Sequence, residues 1–354
     1  MERIDTVIRE IVPPDEEVMK SARERQNVLT KPRRSLGVLE DVSITVAGIT
    51  GNPLPKIEKK AVIIMVGDHG VTEEGVSAYP RSVTAEMMRN FVKGGAGINV
   101  CARHCGARVI IVDVGTSHTI DDSRIVSKKI GHGTKNMVKG PAMSFDEAVK
   151  SIEAGIDVVE TEIQKGLDII GTGDMGIGNT TPSSAITAVI TGESVRNVTG
   201  RGTGVDDIVF ENKIKTIEKA LRVNNPDRKN PVDVLAKIGG FEIGGIAGVI
   251  LAGAAHKIPV VIDGFISGAA ALIAAELAPL SKCYMIPGHC SREVGHKIIL
   301  SWLKLNPLLN LNLCLGEGTG AAIGISLVEL SCRLLTDMST FTDAGVSDRI
   351  QRRY

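Results

Sequence analysis

Short unbroken apolar runs that stop at a glycine or an acid constrain this chain most. The clearest is Ala61-Val-Ile-Ile-Met-Val66, followed at once by Gly67-Asp-His-Gly70. A strand that is apolar on both faces must be covered on both, and parallel strands joined by helical crossovers meet that demand. Runs of the same kind occupy 108–114, 167–170, 258–263 and 282–286, with helical periodicity between several of them. The expected fold class is therefore α/β, with a doubly wound, mostly parallel, Rossmann-like sheet. Ligands of such sheets sit beyond the carboxyl ends of the strands. There the chain carries Asp68 and His69, Asp113 and Gly115, the segment 171–181, Asp263 with Gly264, and Gly288 with His289.

Ahead of the first run, 15–30 reads as a polar helix, 31–37 as a turn, and an amphipathic helix continues through Ala47, together an accessory cap. The polar segment 222–231 reads as a surface loop between helices. Lys+Arg and Asp+Glu are both 41, so no net charge and no long basic tract offers a footprint for nucleic acid, which is not an expected partner. Aromatic residues are 3% of the chain, with Trp302 the one tryptophan, which leaves few platforms for stacking bases. The apolar stretches 243–255 and 265–275 are too short to span a bilayer and read as buried helices, so no membrane is expected. Residues 1–14 mix charged and apolar side chains, unlike a secretory signal, and six cysteines lie without framework spacing. Both point to the cytoplasm. Cys101, His104 and Cys105 lack a second pair at ligand spacing, so no metal is expected.

Three glycine-rich segments carry the chemistry. Gly171-Thr-Gly-Asp-Met-Gly-Ile-Gly-Asn-Thr-Thr181 and Gly200-Arg-Gly-Thr-Gly204 have the composition of loops whose backbone N–H groups hold an anion. In Leu315-Gly-Glu-Gly-Thr-Gly320 a single carboxylate stands among small residues, a candidate proton acceptor. Plainer roles stay open for each. The first segment reads equally as a strand-to-helix turn with Thr180 or Thr181 as N-cap and Pro182 opening the helix. Glu317 reads also as a helix-dipole carboxylate for an apolar helix over 319–335, and His69 and His289 as hydrogen-bonded structural residues. A dinucleotide-dependent oxidoreductase is the competing class, but no fingerprint acid stands about 20 residues beyond the first loop.

The order of motifs along nearly the whole chain resembles the nicotinate-nucleotide:dimethylbenzimidazole phosphoribosyltransferases of cobamide lower-ligand activation. It is carried by Leu29-Thr-Lys-Pro with Ser35-Leu-Gly and Leu39-Glu, Gly67-Asp-His-Gly-Val, Gly75-Val-Ser-Ala-Tyr-Pro, Val83-Thr-Ala, Gly94-Gly-Ala-Gly-Ile-Asn, Met175-Gly-Ile-Gly-Asn-Thr-Thr, Gly200-Arg-Gly-Thr-Gly and Gly316-Glu-Gly-Thr-Gly-Ala-Ala. The resemblance implies an α/β catalytic domain over 59–334 and a small helical domain built from 1–58 with 335–354. It implies a homodimer with sites near the subunit interface, a heterodimer with a paralogue being the other arrangement, and no cofactor. The implied reaction moves ribose 5-phosphate from nicotinate mononucleotide to a benzimidazole-type base, giving the α-ribotide and nicotinate.

Carried over position by position, Glu317 would be the general base, with Asp174 and Lys213 beside it, Lys213 being open to delivery from the partner subunit. Gly176, Ile177, Gly178, Asn179, Thr180, Gly202, Thr203 and Gly204 would hold the donor phosphate, Gly316 would adjoin the reacting centre, and Pro80, Met88 and Met175 would flank the base. Asp174 stands where the family commonly has Glu, Met88 where it has Gln, Arg33-Arg34 where it has Pro-Gly, and Val294 where it has Pro. The shorter acid and the lost amide imply an altered base preference, toward other benzimidazoles or phenols. A divergent subunit acting mainly as a partner is the alternative that these departures leave open.

Overall fold

The computed structural model describes residues 1–118, 120–202 and 204–347. Its sheet is built on β1 (Lys60–Gly67), flanked by β2 (Arg108–Gly115), β3 (Ile125–Ser127), β4 (Ile169–Met175), β5 (Val260–Ile262) and β6 (Met285–Pro287). All pairs are parallel, in the order β3-β2-β1-β4-β5-β6. The pleat sorts β1 into two apolar layers: Ala61, Ile63 and Met65 on one side, Val62, Ile64 and Val66 on the other. The strand order reverses between β1 and β4, and their carboxyl ends open the crevice in which the site lies.

Helices α1 (Glu2–Glu10), α2 (Glu16–Val28) and α3 (Val38–Thr50) precede the sheet; α4 (Val83–Lys93) and α5 (Gly97–Cys105) join β1 to β2. After β3 comes α6 (Phe145–Ile163), and between β4 and β5 run α7 (Thr180–Thr191), α8 (Val195–Val198), α9 (Asp207–Asn224), α10 (Pro231–Ile238) and α11 (Phe241–Ala255). Helix α12 (Phe265–Leu277) links β5 to β6, and α13 (Val294–Leu303), α14 (Thr319–Asp337) and α15 (Phe341–Ala344) follow. The layer containing Ile63 is covered mainly by α6, α11 and α12, the layer containing Val62 by α4, α5 and α14. Helices α6 and α11 cross almost backbone to backbone, because a Cβ on Gly155 would stand 1.9 Å from Gly245 O. Both expected apolar helices, α11 and α12, are buried nearly throughout. By length and composition α14 could cross a bilayer, yet Ala321, Ile325 and Val328 are buried against the sheet.

Helices α2 and α3 meet the end of α14. Ala22 of α2, Ile44 and Ala47 of α3 and Leu335 of α14 form a small apolar cluster. Arg25 Nε donates to Leu335 O at 2.7 Å and its Nη2 to Thr336 O at 3.0 Å, capping the carbonyl end of α14. Lys31 and Glu40 form a buried ion pair at 2.8 Å. Helix α1, inside the expected segment 1–58, packs instead against α6 and α11 through Ile4 and Val7. The expected boundary at 334/335 falls within the continuous α14, and 348–354 lie outside the described residues.

Candidate active site

Strand β4 extends to Met175, five residues beyond the expected apolar run. Gly171 and Gly173 are therefore strand residues and not part of a loop. Their role is close approach: a Cβ on Gly173 would lie 2.8 Å from Glu317 O, so glycine lets the start of α14 rest on the strand. The true loop is short, Gly176 to Asn179, and α7 begins at Thr180. Asn179 occupies the N-cap position, ahead of both threonines, and its side chain turns away to donate through Nδ2 to Asp174 Oδ2 at 2.9 Å.

Opposite this loop, Gly316, Glu317 and Gly318 have φ of +80°, +63° and +89°. The left-handed conformation costs a non-glycine residue about 1 kcal/mol, and its flanking glycines allow it. The helix-dipole role for Glu317 fails on geometry. Asp263, at the end of β5, takes that role: its Oδ2 accepts from Gly318 N at 3.1 Å and its Oδ1 from Ala321 N at 3.0 Å. The Glu317 carboxyl faces instead the amino end of α5, where a Cβ on Gly97 would stand 3.7 Å from Oε2. Burial raises its pKa, the Ile98 N–H lowers it, and the negative charge of Asp263 raises it again, for a net rise. Oε2 has no hydrogen-bond partner among the described residues.

Around Glu317 lies an unusual density of acid. Asp174 is buried, and burial, followed by the charges of Asp263 and Glu242, holds its proton well above the usual carboxyl range against the opposing hydrogen bond from Asn179. The shift favours its protonated form, and its Oδ1 is unpartnered among the described residues. Lys213 of α9 is fully buried and donates to Thr180 Oγ1 at 2.7 Å and Gly200 O at 3.4 Å of its own chain. Burial lowers its ammonium to about 8, with Glu293 opposing that shift. His289 Nε2 lies 3.6 Å from Asp263 Oδ1. His69 sits behind the loop, its Nε2 2.8 Å from Glu242 Oε1 but off the hydrogen-bond line.

These groups surround a cavity of about 420 Å³ whose lining includes Asp174, Met175, Gly176, Ile177, Gly178, Asn179, Thr180, Gly202, Gly316 and Glu317. Lys213 stands directly behind Thr180 and Gly202. Gly204 is outside the lining, with its N–H donated to Arg201 O at 3.0 Å, and Thr203 lies outside the described residues. Of the loop amides, Ile177 N–H is given to Thr84 Oγ1 at 3.1 Å and Asn179 N–H to Gly176 O at 3.1 Å. Pro80 is exposed and Met88 is fully buried in the apolar layer under α4; neither lines the cavity. Helical phase explains the exchange, since Val83 and Met87, one turn apart, face the cavity while Thr84 and Met88 face inward. Tyr79 lines the wall near Pro80. Glu293 and Ser291, ahead of α13, also line it; Glu293 carried only the signal of a charged residue after a strand end. Larger depressions of about 640, 660 and 520 Å³ lie on the outer surface near Trp302, near Phe145 and near Lys128, away from the crevice.

A phosphoribosyltransferase family model matches residues 11–346. A nicotinate-nucleotide–dimethylbenzimidazole phosphoribosyltransferase of Desulforudis audaxviator is 58% identical over 348 residues, covering 98% of this chain and 99% of the relative. One from Chloroflexus aggregans is 52% identical over 350 residues, covering 99% of each. The crystal structure of such an enzyme from Thermus thermophilus superposes with a TM-score of 0.90 at 40% identity, covering 95% of this chain and all of that one. With full-length identity of this order and the same α/β architecture, the chain belongs to the nicotinate-nucleotide:dimethylbenzimidazole phosphoribosyltransferase family.

Proposed function

We propose that this enzyme transfers ribose 5-phosphate from nicotinate mononucleotide to a nitrogen of a benzimidazole-type base. The base nitrogen attacks C1′ as the bond from C1′ to the pyridinium nitrogen breaks, and that bonding pair neutralises the departing nicotinate ring. Attack opposite the leaving group yields the α-ribotide. The base must lose its N–H proton, and Glu317 takes it. The observation that carries the reading is this carboxyl: buried, held by backbone in the left-handed region, raised in pKa, with one oxygen unpartnered, on a residue that lines a cavity across from a glycine loop.

The phosphate fits the loop side, where the amides of Gly176, Gly178 and Thr180 remain candidate donors at the start of α7 and Lys213 supplies a cation behind them. Asp174, protonated, serves as a hydrogen-bond donor to the substrates and not as a second base. Tyr79, Val83, Met87, Met175 and Phe265 offer an apolar slot for a flat heterocycle. Tyr79 and Leu315 line this cavity and are 55% and 59% exposed, an apolar rim that a second copy of the chain would cover in a homodimer. All six cysteines are free thiols, which suits a reducing cytoplasm.

The test is product analysis with nicotinate mononucleotide and dimethylbenzimidazole, for the wild type and Glu317→Gln. The wild type is expected to form the α-ribotide and the variant to be slower by roughly 10²- to 10⁴-fold. Equal rates would remove Glu317 as the base; no ribotide from the wild type, with this or any other benzimidazole, would remove the reaction.

A further inference from the structure

Glu293 holds a position that the transfer reaction does not ask for. It stands just ahead of α13 and lines the cavity, yet its side chain turns onto the Gly200–Gly202 backbone. Its Oε1 accepts from Gly202 N at 3.1 Å. Its Oε2 is buried without a partner, and a Cβ on Gly200 would stand only 1.9 Å from it. A carboxylate oxygen left unpaired in this way is costly, so local stability alone does not account for the arrangement.

The surroundings suggest what the carboxylate replaces. Gly202 lies beside Thr180, since a Cβ there would meet Thr180 Oγ1 at 2.8 Å and Lys213 Nζ at 3.2 Å. The turn therefore gathers a backbone N–H, the amino end of α7 and a buried ammonium, the features that bind an anionic phosphate. The negative group now at this place is Glu293, whose charge favours the protonated form of Lys213. One N–H at hydrogen-bond range cannot serve the carboxylate and a phosphate together, and two anions there repel.

We propose that Glu293 is an intramolecular stand-in for the donor phosphate: its carboxylate keeps the Gly200–Gly202 turn formed in the empty site and is exchanged for the phosphate group when donor or product binds. This rests on the reading that the loop side of the cavity takes the phosphate. Because every phosphorylated ligand must displace the same group, the stand-in weakens all of them by one factor. It leaves the acceptor base untouched. The product leaves more readily as Glu293 returns to Gly202, so the device limits binding that is uniform between substrate and product.

The experiment is calorimetric titration of wild type, Glu293→Gln and Glu293→Asp with inorganic phosphate, nicotinate mononucleotide and the α-ribotide product. Glutamine keeps an acceptor for Gly202 N–H but loses the charge; aspartate keeps the charge but falls one methylene short. Glu293→Gln is expected to tighten all three ligands by a common factor of roughly five or more, with Glu293→Asp between it and wild type. The KM for the base stays unchanged. Weaker or unchanged phosphate binding in Glu293→Gln, or factors that differ more than roughly threefold among the three ligands, would overturn the proposal. Binding is read without turnover: a wild type that binds phosphate but makes no ribotide loses the reaction and keeps the stand-in, whereas intact turnover with unchanged phosphate affinity in Glu293→Gln does the reverse.

Discussion

Asp174→Asn offers a direct reading of how the acids of this site share their protons. The carboxyl lies in full burial with Asp263 and Glu242 near it, and the folded protein holds its proton well above the usual range. Its unfolded counterpart ionises near 4. A pKa raised on folding adds stability that is complete below the unfolded value and is lost as pH climbs toward the folded one, by about 1.4 kcal/mol for each pH unit. Asparagine has no proton to lose and escapes that slope, while its amide oxygen still accepts from Asn179 where Oδ2 does now at 2.9 Å. Between about pH 4.5 and 6.5 the variant should therefore gain on the wild type, by up to about 1.4 kcal/mol for each pH unit until the folded value is reached. Urea midpoints of both proteins across that range, converted with a common slope, give the difference free of the titrations they share. At pH 7 the variant should keep turnover within about tenfold, since an amide also donates, a smaller loss than removal of a general base brings. A stability gap that stays flat with pH would mean that Asp174 is ionised in the fold, and its role as a neutral donor would be wrong.

Other outcomes follow from the same geometry. Lys213, lowered to about 8, should lose its charge as pH rises through that value, so the KM for the donor should climb there in the wild type and stay level in Lys213→Gln. Met87→Ala, at the cavity wall, should raise the KM of the base without changing that of the donor. Met88→Gln buries an amide without a partner, so denaturation should show a loss of about 2 kcal/mol while acceptor preference is unchanged; a changed preference would place residue 88 at the base after all.

The sheet was legible because β1 and β2 are long and apolar on both faces, a pattern few other structures tolerate. Strand β3 escaped notice: it has three residues, is only partly buried, and is defined by its pairing with Ile111 to Asp113 rather than by its own composition. The glycines of β4 misled for a related reason. Gly171 and Gly173 signal a loop in isolation, and only the approach of α14 explains them as strand. The chemistry of Glu317 could be proposed from its neighbours in sequence, but the choice of Met87 over Met88 depends on helical phase against a layer that other segments supply. Glu293 and Asp263 act through backbone groups 91 and 55 residues away, a distance that local pattern does not register.

Helix α14 starts two residues after Glu317, spans 19 residues, and ends where Arg25 grips its final carbonyls. At 1.5 Å per residue it is a rod of about 28 Å without a glycine hinge after its first two turns. A rod of this kind joins two regions into one cooperative unit for local opening. Amide exchange near Leu335 should then slow when ligand fills the cavity, because detaching the far end of the rod would unseat Glu317, the proposed proton acceptor, at the near end. The contact of α2 with the end of α14, distant from the cavity, thus shares in the rigidity on which the proposed proton transfer depends.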